Sequence, residues 1–598
     1  MMLVAYLPFV ALALCATPWL LVMSRRFGLS LAIGGVLAGT LILVMIALFG
    51  SSALSLQPLP TTLAVAAIAG AAGVLVLRRT AGAVRRPRRS TIAAWAPAAI
   101  GAIAWIGVVA VAQLLPGAAP LSWAMNGDTA NNIHDARLFL ESNGLTTLIS
   151  VPLTAALLLL GMAAGRDQSG RAELLQHDLV AFTVVWALEL ALTAVLLGLV
   201  ASALVSTHRT AVVAIASGAG SLLATTWYIA GLPIEYGYLN VHLALPFLLA
   251  SWLAFLQSAR FPVVAIAVEL GLGVLLTTTW TPLIVFTAAF VVAILLRHRA
   301  TLRVLRGRSL IITTSAVLLF LVPFTLLAVP ALSSGIASFL IPGHGMPVTG
   351  GILLLLLGIV LVGAVSLRRR TALPVVDGAI SASAASVLGV GVLLLIARQV
   401  SDPWTLYYPA KLTWLITAFL VPIALGVLIG LVAELARTRT AATAGAVALA
   451  VVSLVLVSAG PPPTRETFVI TPPLVKIAFG SVWSSGDAAV AKILRYSQED
   501  RRDLLWDTTD PDEAMINFWI LEFSEGDRTI DGASRDLALR GYRELRDSGS
   551  YRAGDVGELC EVASELEPPV SIHTADAGLS SELTATCPEL QVTVLVDG

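Results

Sequence analysis

The segment Thr147-Leu-Ile-Ser-Val-Pro-Leu-Thr-Ala-Ala-Leu-Leu-Leu-Leu-Gly-Met-Ala-Ala-Gly165 decides how this chain is threaded. It is apolar, but it is short, has Pro152 near its start, and runs straight into Arg166-Asp-Gln-Ser-Gly-Arg171. A helix rises ~1.5 Å per residue and a bilayer's hydrocarbon core is ~30 Å thick, so a crossing needs ~20 apolar residues. Runs of that length recur on both sides of the segment. They predict about fourteen spans, near 3–23, 29–49, 61–77, 92–115, 181–205, 210–231, 241–257, 261–278, 281–296, 309–329, 349–367, 378–397, 411–435 and 441–459. Arginine-rich loops lie at Arg25-Arg26, Arg78 to Arg89, Arg209, Arg260, Arg297 to Arg308, Arg368 to Arg370, and Arg437 with Arg439. If 147–165 does not cross, all of them fall on one face, as the positive-inside rule requires. If it crosses, the later loops change sides and the rule fails. The segment is therefore expected at the interface or packed against the bundle. The N-terminus, the 116–180 and 398–410 loops and the C-terminal tail are then external.

Composition points the same way. Of 598 residues, 57% are hydrophobic and 12% charged, with mean hydropathy +0.88, which no soluble globule shows. Only helices and closed barrels satisfy their backbone in lipid, and runs this long mean helices. The first apolar run has no charged residue before it and is followed by Ser24-Arg25-Arg26, so it is expected to stay as a span. After the last span, Gly460-Pro-Pro-Pro463 reads as a stiff linker. From 464 to 598 charge rises and apolar runs shorten. Asp487 to Tyr496 and Ser534 to Leu545 have helical spacing, while Val570 to His573 and Leu590 to Val596 look like strands. The fold class expected is an all-α polytopic membrane protein over 1–459, followed by a small extracytoplasmic α/β domain. Cys560 and Cys587 of that tail can pair if it lies in an oxidising compartment, which the external assignment supplies.

Chemistry is concentrated in Asn126-Gly-Asp128-Thr-Ala-Asn-Asn-Ile-His134-Asp135-Ala-Arg137-Leu-Phe-Leu-Glu-Ser-Asn-Gly144. Ile133, Ala136 and Leu140 share a face, so a short helix is expected from His134, with Gly144 as its stop. Asp128, in the turn before it, is either a helix cap or a functional carboxylate. By the same topology four other polar stretches share its face: Glu235 to His242, Thr277 to Pro282 around Trp280, Ile341 to Gly345 around His344, and Asp402 to Trp414 with Trp404, Tyr407, Tyr408 and Lys411. Interfacial aromatics are ordinary belt anchors. Lys411 stands apart, because positive charge is disfavoured at an external end and the membrane half otherwise uses arginine. A lysine there is either a snorkelling side chain or a point charge for a phosphate. Glu189 and Glu269 lie inside apolar runs, where a carboxylate is costly; bundle hydrogen bonding and a substrate path are both open. No phosphate loop, zinc spacing or nucleophile elbow is present, and no basic patch supports nucleic acid.

The Asp128-to-Gly144 stretch, with its acidic residue, His134, Arg137 and closing glycine, resembles the first external loop of GT-C glycosyltransferases. Tyr407-Tyr408-Pro-Ala-Lys411 is similar to the Tyr-Tyr-x-x-Lys before a late span in actinobacterial arabinofuranosyltransferase-like members. The pattern departs from many members in having Thr129, not a second acid, after Asp128. The resemblance implies an inverting transferase at the external face of the plasma membrane, moving a sugar such as arabinofuranose or mannose from a polyprenyl-phosphate donor to a cell-envelope glycan. Asp128 would be the base and Lys411 the phosphate clamp, helped by Tyr407 and Tyr408. His134, Arg137, Glu235, His242, Trp280, His344 and Trp404 would contact substrate. Some relatives use Mg2+ or Mn2+, which Asp128 and Asp135 would hold here. Trp483, Trp506 and Trp519 are either glycan-stacking surfaces or core. The alternative is a lipid or saccharide transporter using Glu189 and Glu269.

Overall fold

A computed structural model of the chain describes residues 2–79, 89–114, 119–125, 127–145, 152–168, 173–205, 209–302, 306–328, 350–367, 373–396, 398, 406–458, 471–479, 487–497, 502–507, 509–510, 512–523, 556–566 and 569–596. His344, Trp404, Trp483, the 460–463 linker and the helix expected over Ser534 to Leu545 lie outside these residues. The chain opens with four long apolar helices, α1 (Met2–Phe27), α2 (Leu29–Ala53), α3 (Pro58–Arg79) and α4 (Arg89–Ala112). Two shorter ones follow, α5 (Gly127–Glu141) and α6 (Pro152–Ala163), then α7 (Leu174–Ala203), α8 (Thr210–Thr226) and α9 (Tyr228–Tyr236). Next come α10 (Leu239–Leu256), α11 (Pro262–Thr279), α12 (Ile284–Arg297), α13 (Arg308–Pro323), α14 (Gly350–Leu367) and α15 (Leu373–Ile396). The bundle ends with α16 (Tyr407–Leu435) and α17 (Arg439–Ser458).

This is a polytopic α-helical membrane protein. Among the described helices, 11 are long and apolar enough to cross a bilayer: α1 to α4, α7, α8 continued into α9, α10, α11, α13, α16 and α17. The three other expected crossings coincide with α12, α14 and α15, whose described apolar stretches are shorter. Side chains such as Leu3, Ile68, Ile103, Leu296 and Leu354 stand out from the surface, as lipid contact allows. The bundle's centre is packed on small residues. A Cβ on Gly198 would come 2.7 Å from the Ser217 carbonyl, and one on Gly220 would come 2.7 Å from the Leu197 carbonyl. Glycines there let α7 and α8 approach backbone to backbone, the usual device where the hydrophobic effect cannot drive helices together.

The deciding segment is α6. Its twelve described residues are about 18 Å long, against a hydrocarbon core of ~30 Å. Of the two expected placements, interface or bundle, the structure has the second: every residue from Pro152 to Met162 is buried. Two polar clamps hold the segments around it. Asp178, fully buried near the start of α7, accepts a 2.7 Å bond from Arg137 Nε of α5 and a second from Arg166 just after α6. His177 bridges from Asp178 to the carbonyl of Ala164, 3.0 Å away.

The tail forms α18 (Pro473–Phe479), α19 (Asp487–Tyr496), β1 (Arg502–Trp506), α20 (Glu513–Phe523), α21 (Val556–Glu565), β2 (Val570–Thr574), α22 (Leu579–Thr586) and β3 (Val592–Val596). The strands make a parallel sheet in the order β1-β2-β3. Parallel strands need crossovers, which is why helices separate them. The strand over Arg502–Trp506 was not among the sequence expectations; β2 and β3 were. Asn517 of α20 donates to the Leu505 carbonyl and accepts from the Leu505 N–H, both at 2.8 Å, tying the helix to the sheet. A disulfide joins Cys560 to Cys587. Trp506 and Trp519 are buried, so of their two readings they are core, not glycan-stacking surfaces.

Candidate functional site

The expected helix begins earlier than its apolar spacing suggests. It starts at Gly127, so Asp128 lies inside the first turn, not in a turn ahead of it. The apolar face begins only at Ile133, but side-chain bonds stabilise the preceding turn: Thr129 donates to the Ala124 carbonyl at 2.8 Å, and Asn132 to the Asp128 carbonyl at 2.6 Å. A carboxylate there also faces the positive end of the helix dipole. The stop is as expected. Asn143 (φ 56°) and Gly144 (φ 134°) leave the helical region, and Gly144 N–H returns to the Phe139 carbonyl at 2.8 Å. Ser51 of α2 donates to the Asn143 carbonyl at 2.8 Å and docks this end on the bundle.

The turn between α9 and α10 fixes the other end. Gly237 sits at φ 71°, and a Cβ there would come 2.5 Å from the Thr129 backbone nitrogen. Only glycine allows both the left-handed backbone and the close approach. Asn132 donates to the Gly237 carbonyl at 3.2 Å. The flanking Tyr236 and Tyr238 stack on each other, centroids 5.2 Å apart. Tyr238 presents its face to Lys411: the ammonium lies 3.4 Å from the ring centroid and 6.0 Å from that of Tyr408. Tyr408 stacks in turn on Trp280, which follows the last residue of α11. The Asp128 carboxylate lies within electrostatic reach of both Lys411 and Tyr408.

Four separate parts of the chain therefore meet: the first turn of α5, the Tyr236-Gly237-Tyr238 turn, the end of α11 and the start of α16. Lys411 is only 4% exposed, and Tyr238 and Trp280 are buried too, whereas Asp128 and Tyr408 are partly open. A buried ammonium on aromatic faces is held by cation–π attraction and retains N–H groups for an anion. A half-open carboxylate beside it can accept a proton.

The remaining expected residues divide. Arg137 is committed to Asp178 and lies 4.8 Å from the Phe523 ring centroid of the tail, so its charge is spent on holding α5 in place. His134 faces Glu522 of α20 at 3.9 Å. His242 is fully buried: its Nδ1 accepts from Trp186 at 2.8 Å, lies 3.5 Å from Glu189, and its ring packs edge-on to Trp414. It lies one helical turn from Tyr238, buried in the bundle. Glu235 and Tyr407 lie in α9 and α16. Asp135 is two turns beyond Asp128 on α5. Among the described residues no group of three or more His, Cys, Asp or Glu is placed to hold a metal, and Asp128 faces an ammonium. Glu189 accepts from Thr193 at 2.8 Å and Glu269 from Ser251, so each membrane-buried carboxylate has a local partner.

Gly237 and Tyr238 lie within the Glu235-to-His242 stretch and Asp178 in none of the marked stretches, yet these three carry the site's geometry. The available signals were a glycine between two tyrosines at a span boundary and His177-Asp178 at the head of an apolar helix. The fold and site define a polytopic helical membrane protein with an acid and an amine beside a cluster of aromatic rings at one end of its bundle. No protein-family model, curated protein or solved structure matches the chain.

Proposed function

We propose that this protein is an inverting membrane glycosyltransferase that moves a sugar from a polyprenyl-phosphate donor to a cell-envelope glycan. The observation that carries the reading is the meeting of Asp128 and Lys411, from opposite ends of the membrane half, beside three aromatic rings. A lipid-phosphate donor keeps its tail among the spans and its phosphate at the bundle's end. The acceptor hydroxyl attacks the anomeric carbon and its proton passes to Asp128. The bond from that carbon to the phosphate oxygen breaks, and the electron pair leaves with the phosphate, which the Lys411 ammonium stabilises. Tyr408, the partly open ring of the three, is the one placed to meet a sugar. Arabinofuranose and mannose are the sugars the resemblance suggests. The Cys560–Cys587 disulfide supports an extracytoplasmic tail at the plasma membrane, because such bonds persist in oxidising compartments.

The test is turnover of a radiolabelled polyprenyl-phosphate sugar by purified protein. Asp128→Asn is expected to lower the rate about 10²–10⁴-fold while leaving the melting temperature unchanged. Near-normal turnover removes Asp128 from the chemistry. A transporter would instead leave transfer to other enzymes and lose translocation in the same variant.

A further inference from the structure

At the bundle end away from Asp128 and Lys411 lies a cavity of about 440 Å³. It opens where the last turns of α7 and α10 meet the first turns of α2, α4 and α8. Its upper wall is polar, with Ser30, Ser90, Thr91, Gln257 and Arg260; its depth is apolar, with Ile33, Trp95 and Leu253. Among the described residues no Asp or Glu lines it. Two further arginines adjoin lining residues in the chain. Arg89 adjoins Ser90, and Arg209 lies one turn before Val213, which also lines the cavity. Arg89, Arg209 and Arg260 are exposed, and among the described residues none of them takes part in an ion pair. The guanidinium of Arg260 stacks 5.1 Å from the Phe261 ring centroid, which keeps it at the rim. Helices α2, α4 and α8 all begin here, so their free N–H groups and positive dipole ends add to the field.

We infer that this cavity binds the phosphate headgroup of an anionic glycerophospholipid, its acyl chains running down the apolar wall. The pairing of polar mouth and apolar depth is what an amphiphile needs, and three unpaired arginines without an acid select negative charge. A free phosphate satisfies the mouth but leaves the apolar depth unused. The inference is independent of the transferase reading.

Native mass spectrometry of the full chain, released from detergent with phosphatidylglycerol or phosphatidylcholine of the same acyl chains, tests it. One phosphatidylglycerol is expected to be retained in preference to phosphatidylcholine. The triple variant R89Q/R209Q/R260Q is expected to weaken that retention about tenfold or more. Its side chains are exposed, so its melting temperature in phosphatidylcholine nanodiscs should match the parent's. Thr91→Trp, which fills the mouth without removing charge, should cause the same loss. Equal retention of the two lipids, or unchanged phosphatidylglycerol binding by the triple variant, overturns the inference. So does full competition by millimolar inorganic phosphate, since it would make the site one for a free anion.

Discussion

Lys411 shows how a side chain's neighbours decide its work. A snorkelling lysine would keep its head in water. This one is 4% exposed, with its ammonium against the Tyr238 face at 3.4 Å and Asp128 in electrostatic reach. If it stabilises a departing phosphate, Lys411→Ala should lower kcat/KM about 10²–10³-fold, the usual cost of one lost transition-state donor. Loss of less than threefold in a steady-state assay would mean that Lys411 only packs. Gly237 is the residue on which the carboxylate's position depends. Gly237→Ala meets a left-handed backbone penalty of about 1–2 kcal/mol, and its Cβ would press on the Thr129 nitrogen at 2.5 Å. Asparagine tolerates that backbone better, but its Cβ meets the same atom. Both variants should therefore lose melting temperature and turnover, and rescue by asparagine would show that only the backbone angle matters.

At the level of elements, α5 is held by what surrounds it. Its own sequence is polar and its termini are docked on α2 and the α9–α10 turn. Asp178 of α7 anchors its middle through Arg137. Removing one partner of a buried ion pair leaves the other uncompensated, so Asp178→Ala should cost about 3–5 kcal/mol. Thermal unfolding in detergent measures this, and a shift within error would mean that water replaces the carboxylate. The tail buttresses the opposite face: Glu522 meets His134, and Phe523 lies under Arg137. Phe523→Ala removes a buried ring and should loosen this contact. It would show as faster proteolytic release of the tail, with the bundle's own melting little changed.

The whole molecule joins an apolar helical bundle to a small polar unit, and the polar unit carries its own pH dependence. In the tail Lys492 bonds Asp510 at 2.6 Å and Asp507 at 3.1 Å. Partial burial pushes the Asp507 carboxyl up, but hydrogen bonds from Thr509 and Lys492 and the lysine's charge outweigh it and hold it below its ordinary 3.8. A carboxyl held below its unfolded value contributes stability above that value and loses it as pH falls through the folded one. The contribution should therefore vanish in acid below about pH 4, and the groups are exposed enough for it to be small. Lys492→Met should flatten the acid limb of the tail's stability profile, read by protease resistance from pH 3 to 7. An unchanged limb would assign acid sensitivity elsewhere. Topology has its own test. An impermeant maleimide added to intact cells after reduction should reach Cys560 and Cys587 if the tail is external, and should leave them unlabelled if it is not.

Chain order alone determined the membrane class, the places of the long apolar helices and the α/β character of the tail. These follow from local hydropathy, helix rise and arginine placement, which need no knowledge of what packs on what. It also marked Asp128, Lys411 and Trp280, because charge and aromatics are scarce in such a chain and so stand out. Only the tertiary structure decided what those residues touch. It turned Arg137 toward Asp178, buried His242 beneath Tyr238, sank α6 wholly into the bundle and brought Lys411 onto the Tyr238 ring. Such pairings join residues far apart in the sequence. They are set by which helix faces fit together, and periodicity along one helix carries no record of its neighbour's identity.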